Sequence, residues 1–219
     1  MTTWFRQALP PTSYAMGALL AYVVVTFLPF LVHPRPFRNF TLRLDPPQGL
    51  FALAFFMVAY GVFRVVAFHP VYSQAYREWL TQTPWRWGLP LPVGPIHLVW
   101  QDVLYVALVT GISLLHREAH PLLIPASFLS GYVLMMAVSL ALTGQFPHSY
   151  VLAFGLGGVV HLWWNPWGLA PLLIVLYAAA WQGLRLALQN FRDWSLTVFD
   201  ENFFCQRDKS TGQISILEG

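Results

Sequence analysis

Residues 49–68 read GLFALAFFMVAYGVFRVVAF, an apolar run broken only by Arg64 near its end. A lipid hydrocarbon core is about 30 Å thick and an α-helix rises 1.5 Å per residue, so a crossing helix needs about 20 apolar residues. A helix apolar on every side has no face to offer water, which excludes a surface helix of a soluble domain. This stretch reads as a membrane span and sets the class of the molecule.

The rest of the chain repeats the pattern. Further apolar stretches lie at 14–32, 96–115, 121–143, 150–164 and 167–188. The first has no charge, and Pro10-Pro11 precede it. It is too long for a signal peptide, and Leu31-Val32-His33-Pro34 lacks a small-residue cleavage pattern, so it reads as a retained anchor. Five residues, 116–120, separate the third stretch from the fourth, a link so short that the two helices must be antiparallel neighbours. The fifth stretch is the shortest and carries Gly155, Gly157 and Gly158. Asn165-Pro166 stops it, because proline lacks the N–H a helix needs.

Composition agrees. Of 219 residues 57% are hydrophobic and 10% charged, too few charged groups to cover a soluble domain. The net charge of +3 is an orientation signal on so apolar a chain, and no nucleic-acid partner is expected. The single cysteine, Cys205, excludes an intramolecular disulfide. The fold expected is therefore all-α, a polytopic transmembrane bundle of about six spans over 1–188. With six spans, Arg6, Arg64, Arg77, Arg86, Arg185, Arg192, Arg207 and Lys209 fall on one side, against Arg35, Arg38, Arg43 and Arg117 on the other. The excess places both termini in the cytoplasm, with the plasma (inner) membrane as the location.

Two segments outside the spans carry their own pattern. Tyr72, Tyr76, Trp79 and Leu80 recur at helical spacing over 71–80, which predicts a short interfacial helix with its aromatic face in the headgroup layer. Pro84, Pro90, Pro92 and Pro95 follow as an extended strap into the third span. Residues 189–219 form a small cytoplasmic tail. In it, Phe203-Phe204-Cys205 and Ile214-Ser215-Ile216-Leu217 flank a turn-rich segment and read as a β-hairpin.

Three polar residues stand out inside the apolar stretches: Arg64, Asp102 and His161. An ionised group in hydrocarbon is costly unless paired or able to reach the headgroups, so each marks a binding or structural site. Arg64 lies near the end of the second span and Asp102 near the start of the third, which places them at one depth on antiparallel helices. No catalytic residue and no metal ligand set is assigned. His116 and His120 are four apart, but His120 precedes a proline, and there is no adjacent histidine pair of the membrane di-iron type. His148 and His161 share one helix, whereas bis-histidine haem ligation needs two, so no cofactor is expected. Ser130-Gly131 with His161 has the outline of an intramembrane serine protease. Phe128 two residues before the serine and the bulky Leu162-Trp163-Trp164 depart from it. Ser127-x-x-x-Gly131 and Ala153-x-x-x-Gly157 are instead faces of small residues on which helices approach closely.

The function expected is that of a non-enzymatic membrane component, its partners being the lipid bilayer and a second protein or second copy docked on small-residue faces. A transporter or permease subunit is the alternative, and a membrane enzyme acting on lipid or peptide the third choice.

Overall fold

The computed structural model describes residues 17, 20, 22–24, 47–86, 89, 91–115, 120–163, 165–191, 194, 206–207 and 214–215. The helices are α1 (Pro47–Phe68), α2 (Gln74–Gln82), α3 (Trp100–Ser113), α4 (Leu123–Leu142), α5 (Phe146–His161) and α6 (Pro166–Gln189), with a 3-10 turn at Pro70–Tyr72. Among the described residues, three helical segments are long and apolar enough to cross a membrane: Gly49–Phe68 in α1, Leu123–Leu142 in α4 and Pro166–Gln189 in α6. The stretch at 14–32 lies mostly outside the described residues, with 17, 20 and 22–24 helical.

Two expected spans come out shorter. Only Trp100–Ser113 of 96–115 is helical, 14 residues that rise about 21 Å. Residues 96–99 stay non-helical, bending at 96 and 97, and follow Gly94, at φ 140°, and Pro95. α5 has 16 residues, about 24 Å of rise, and begins earlier than 150. Pro147 sits in its first turn, where a fixed φ suits helix initiation.

α4 is the central helix. Its apolar segment is 61% buried inside the protein, against 33% for those of α1 and α6. α1 crosses it at Gly61 and Gly131. A Cβ on Gly61 would land on the Phe128 carbonyl oxygen and the Tyr132 nitrogen, and one on Gly131 would land on the Val58 carbonyl. The backbones therefore touch where both helices lack side chains, and the Ser127-x-x-x-Gly131 face is spent inside the chain. The Ala153-x-x-x-Gly157 face is exposed instead, and a Cβ on Gly157 would meet nothing within 4 Å.

The short helix packs differently from the sequence expectation. After α1, His69 caps the 3-10 turn and the chain folds back. The Tyr72 hydroxyl lies 3.0 Å from Ser139 Oγ on α4. Tyr76 and Leu80 then bury in the core with Trp85, while Trp79 stays 38% exposed. The aromatic face expected in the headgroup layer thus divides, with two residues closing over the protein and Trp79 left outside.

In the tail, Gln206–Arg207 pairs antiparallel with Ile214–Ser215, Gln206 opposite Ser215 and Arg207 opposite Ile214. Phe203-Phe204-Cys205, expected to form the first strand, lie outside the described residues.

Candidate functional site

Tyr60 and Arg64 are one helical turn apart on α1, so they present to the same neighbour. That neighbour is the start of α3. Asp102 stands in its first turn, where a carboxylate is favoured by the exposed N–H groups and the positive end of the helix dipole. Asp102 Oδ2 accepts from the Val99 backbone N–H at 2.9 Å, which caps the helix on its own entering strand. Arg64 Nε donates to the same Oδ2 at 3.0 Å, and the Tyr60 hydroxyl donates to Oδ1 at 2.7 Å. Both ionic partners are fully buried, and the Arg64 guanidinium lies 4.4 Å over the Phe68 ring. Gly94 packs on the other contacts of Phe68: a Cβ there would meet the ring edge at 2.7 Å.

The pair belongs to a larger arrangement around the strap. Arg64 Nη2 donates to the His97 carbonyl at 3.3 Å. The Tyr132 hydroxyl of α4 donates to the Ile96 carbonyl at 3.3 Å, and the Leu98 N–H donates to the Tyr177 hydroxyl of α6 at 3.3 Å. Four consecutive strap residues, Ile96 to Val99, are thus each held by a side chain, from α4, α1, α6 and α3 in turn. Buried non-helical backbone needs partners for its polar groups, and these four side chains each supply one. Arg64 Nη1 and Gln101 Oε1 remain without a partner beside the arrangement.

The Asp102 carboxylate accepts from three donors, and Arg64 spends Nε and Nη2 on fixed acceptors. An ion pair this deep is stable because each charge has the other; removing either strands its partner.

The remaining sequence candidates lie elsewhere. His161 is exposed at the last residue of α5, away from any buried charge. Ser127 Oγ donates back to the Leu123 carbonyl, a bond within its own helix. His120 Nδ1 accepts from the Leu122 N–H, and His116 lies outside the described residues. Among the described residues no three His, Cys, Asp or Glu side chains gather where they could share a metal ion. Sequence reasoning missed the three tyrosines. Tyr60 had a signal, its spacing of four from Arg64. Tyr132 and Tyr177 had none, since their partners are backbone atoms far along the chain.

A second polar cluster lies where α1 ends. Val71 N–H donates to His69 Nδ1 at 3.2 Å, and the imidazole stacks on Trp194 with ring centroids 6.0 Å apart at 13°. Burial pushes the His69 pKa down to about 3, so the ring is neutral. Burial also raises the Tyr76 and Tyr72 phenols, the first drawn partly back by the Val93 backbone and the second by Ser139.

No family model, curated protein or solved structure matches the chain.

Proposed function

We propose that the chain is a multi-pass integral membrane protein with a non-enzymatic role, assembling with a second protein or a second copy of itself. In this reading α1, α4 and α6 are full spans, residues 14–32 add a fourth, and α3 and α5 complete six by drawing their polar ends into a thinned bilayer. The arginine distribution then puts both termini in the cytoplasm. The observation that carries the non-enzymatic reading is the saturation of Asp102: its carboxylate accepts from Tyr60, Arg64 and Val99, and the pair secures the strap rather than facing a substrate.

The alternative, a permease subunit, draws on one feature. Non-helical backbone at 96–99 inside a helical bundle, beside the unpartnered Arg64 Nη1, is the kind of broken segment on which transporters build solute sites.

The test is purification of the full chain under mild detergent after an alkaline carbonate wash, with identification of what travels with it. The chain is expected to stay in the membrane pellet and to retain a partner or second copy. The folded double variant Arg64→Leu/Asp102→Leu is expected to retain that partner too. Release by carbonate overturns the membrane reading. Binding of a polar solute that the double variant abolishes moves the assignment to the permease.

A further inference from the structure

Two buried N–H donors at the C-terminal end of α6 have no acceptor among the described residues. Because His69 Nδ1 accepts from Val71, the ring proton sits on Nε2, and that atom is unpartnered in a side chain only 1% exposed. Trp85 Nε1 is likewise unpartnered in a side chain 5% exposed. The two are tied to one place by their ring contacts: His69 stacks on Trp194, and Trp85 meets Phe191 edge-on at 5.8 Å. Trp194 differs from them, since its own Nε1 is spent on the Ala187 carbonyl at 2.9 Å.

An unmade buried hydrogen bond costs more than a made one contributes. Two such donors, held among aromatic rings, are therefore set for an acceptor that no described residue provides. Neutral N–H groups favour an oxygen acceptor, and the aromatic lining favours a molecule with an apolar body. The neighbouring charges point to its sign: Arg86 follows Trp85 and is exposed, and Arg77 is half-buried on α2. Beside this cluster, α2 packs on the same core as Trp85. Its polar side chains bond locally, Gln74 to Glu78 and Thr81 to the Glu78 carbonyl, while Tyr76 and Leu80 attach it to the core. Trp79 on its outer side is of the type that settles at headgroup depth.

We propose that α2 covers a phospholipid site, in which His69 Nε2–H and Trp85 Nε1–H donate to a phosphodiester oxygen once α2 lifts. The site rests on the membrane reading above, because only a bilayer brings that ligand to the end of α6.

The experiment uses the full chain in maltoside micelles and follows the Trp85 indole N–H resonance. Trp85→Phe assigns the resonance, with Trp85→Tyr where the first variant does not fold. Phosphatidylglycerol is titrated in one arm and inorganic phosphate in the other. The lipid is expected to move the resonance downfield, and phosphate to leave it in place. His69→Asn keeps an acceptor for Val71 and removes the Nε2 donor, so it should weaken lipid binding about fivefold, the worth of one neutral hydrogen bond. A resonance unmoved by lipid, an equal response to phosphate, or unchanged affinity in His69→Asn overturns the site. Sedimentation of the same preparation with carbonate-washed membranes decides the membrane reading independently.

Discussion

The protein buries two polar sets, and they are finished differently. Around the strap, Tyr60, Arg64, Asp102, Tyr132 and Tyr177 use one another and the backbone of Ile96 to Val99. At the end of α6, His69 and Trp85 keep N–H groups that no described residue accepts. The difference teaches how to separate structural from receptive polarity in an apolar protein. A charged pair in a membrane helix invites a functional reading by its cost alone. Here the charged set is the more nearly closed one, with Arg64 Nη1 left over, and its cost is offset locally. The uncharged set is the open one, and it drew no attention as sequence because a histidine next to a proline and a tryptophan in a loop are ordinary.

The largest effect should come from opening the closed set. Arg64→Leu strands a buried carboxylate, and Asp102→Leu strands a buried guanidinium. Each should cost about 3–5 kcal/mol, because the survivor has lost its counter-charge in a medium that solvates it poorly. The double variant removes both charges and should recover part of that loss. Thermal unfolding in detergent across the four proteins reads the coupling. If the two single losses simply add, the charges act independently and the strap is not held by the pair.

The open set should respond to pH. His69 is neutral in the folded protein with a pKa of about 3, whereas in the unfolded chain it titrates near 6.5. Between those values the unfolded state binds a proton that the folded state refuses. Stability is therefore whole above about 6.5 and falls as pH is lowered, by up to about 1.4 kcal/mol per unit. Thermostability between pH 6.5 and 5, above the carboxylate range, should fall in the native protein and flatten in His69→Asn. A parallel slope in the variant would assign the effect to another group.

Smaller effects grade the individual strap bonds. Tyr132→Phe leaves the Ile96 carbonyl unpaired in a buried site and should cost about 1–3 kcal/mol. Tyr177→Phe unpairs the Leu98 N–H in a half-buried one and should cost about 1 kcal/mol. Hydrogen exchange at Leu98 and Val99 should quicken in Tyr177→Phe. Equal losses in the two variants would mean that burial does not decide the value of these bonds.

These bonds also mark where the sequence was legible and where it was not. α1, α4 and α6 follow from the length of their apolar runs, since lipid demands about 20 residues and little else satisfies that demand. The contact of Arg64 with Asp102 follows from their places at the facing ends of consecutive apolar stretches. The short α3 does not follow, because hydropathy treats 96–99 as more span. Side-chain bonds from four helices stabilise the non-helical backbone there. The aromatic face of α2 was visible, but periodicity cannot tell whether such a face meets lipid or protein. The 3-10 turn at Pro70–Tyr72 makes that choice by folding Tyr76 and Leu80 back over the core.

The smallest effect on stability is expected at the other small-residue face. Gly131 and Gly157 close similar motifs, yet a Cβ on Gly131 strikes the Val58 backbone while one on Gly157 meets open space. Gly131→Ala must therefore push α1 from α4, at a cost of about 1–3 kcal/mol. Gly157→Leu should change stability by no more than about 0.5 kcal/mol. Its neighbours on the face, Phe154 at 80% and Val160 at 77% exposure, leave the new side chain unobstructed. If this face docks a partner, the same substitution should shrink the species recovered in mild detergent while leaving its melting temperature in place. A melting temperature lowered as far as that of Gly131→Ala would mean that α5 is packed within the chain on this side. An unchanged melting temperature with an unchanged assembly size would move the docking surface off α5.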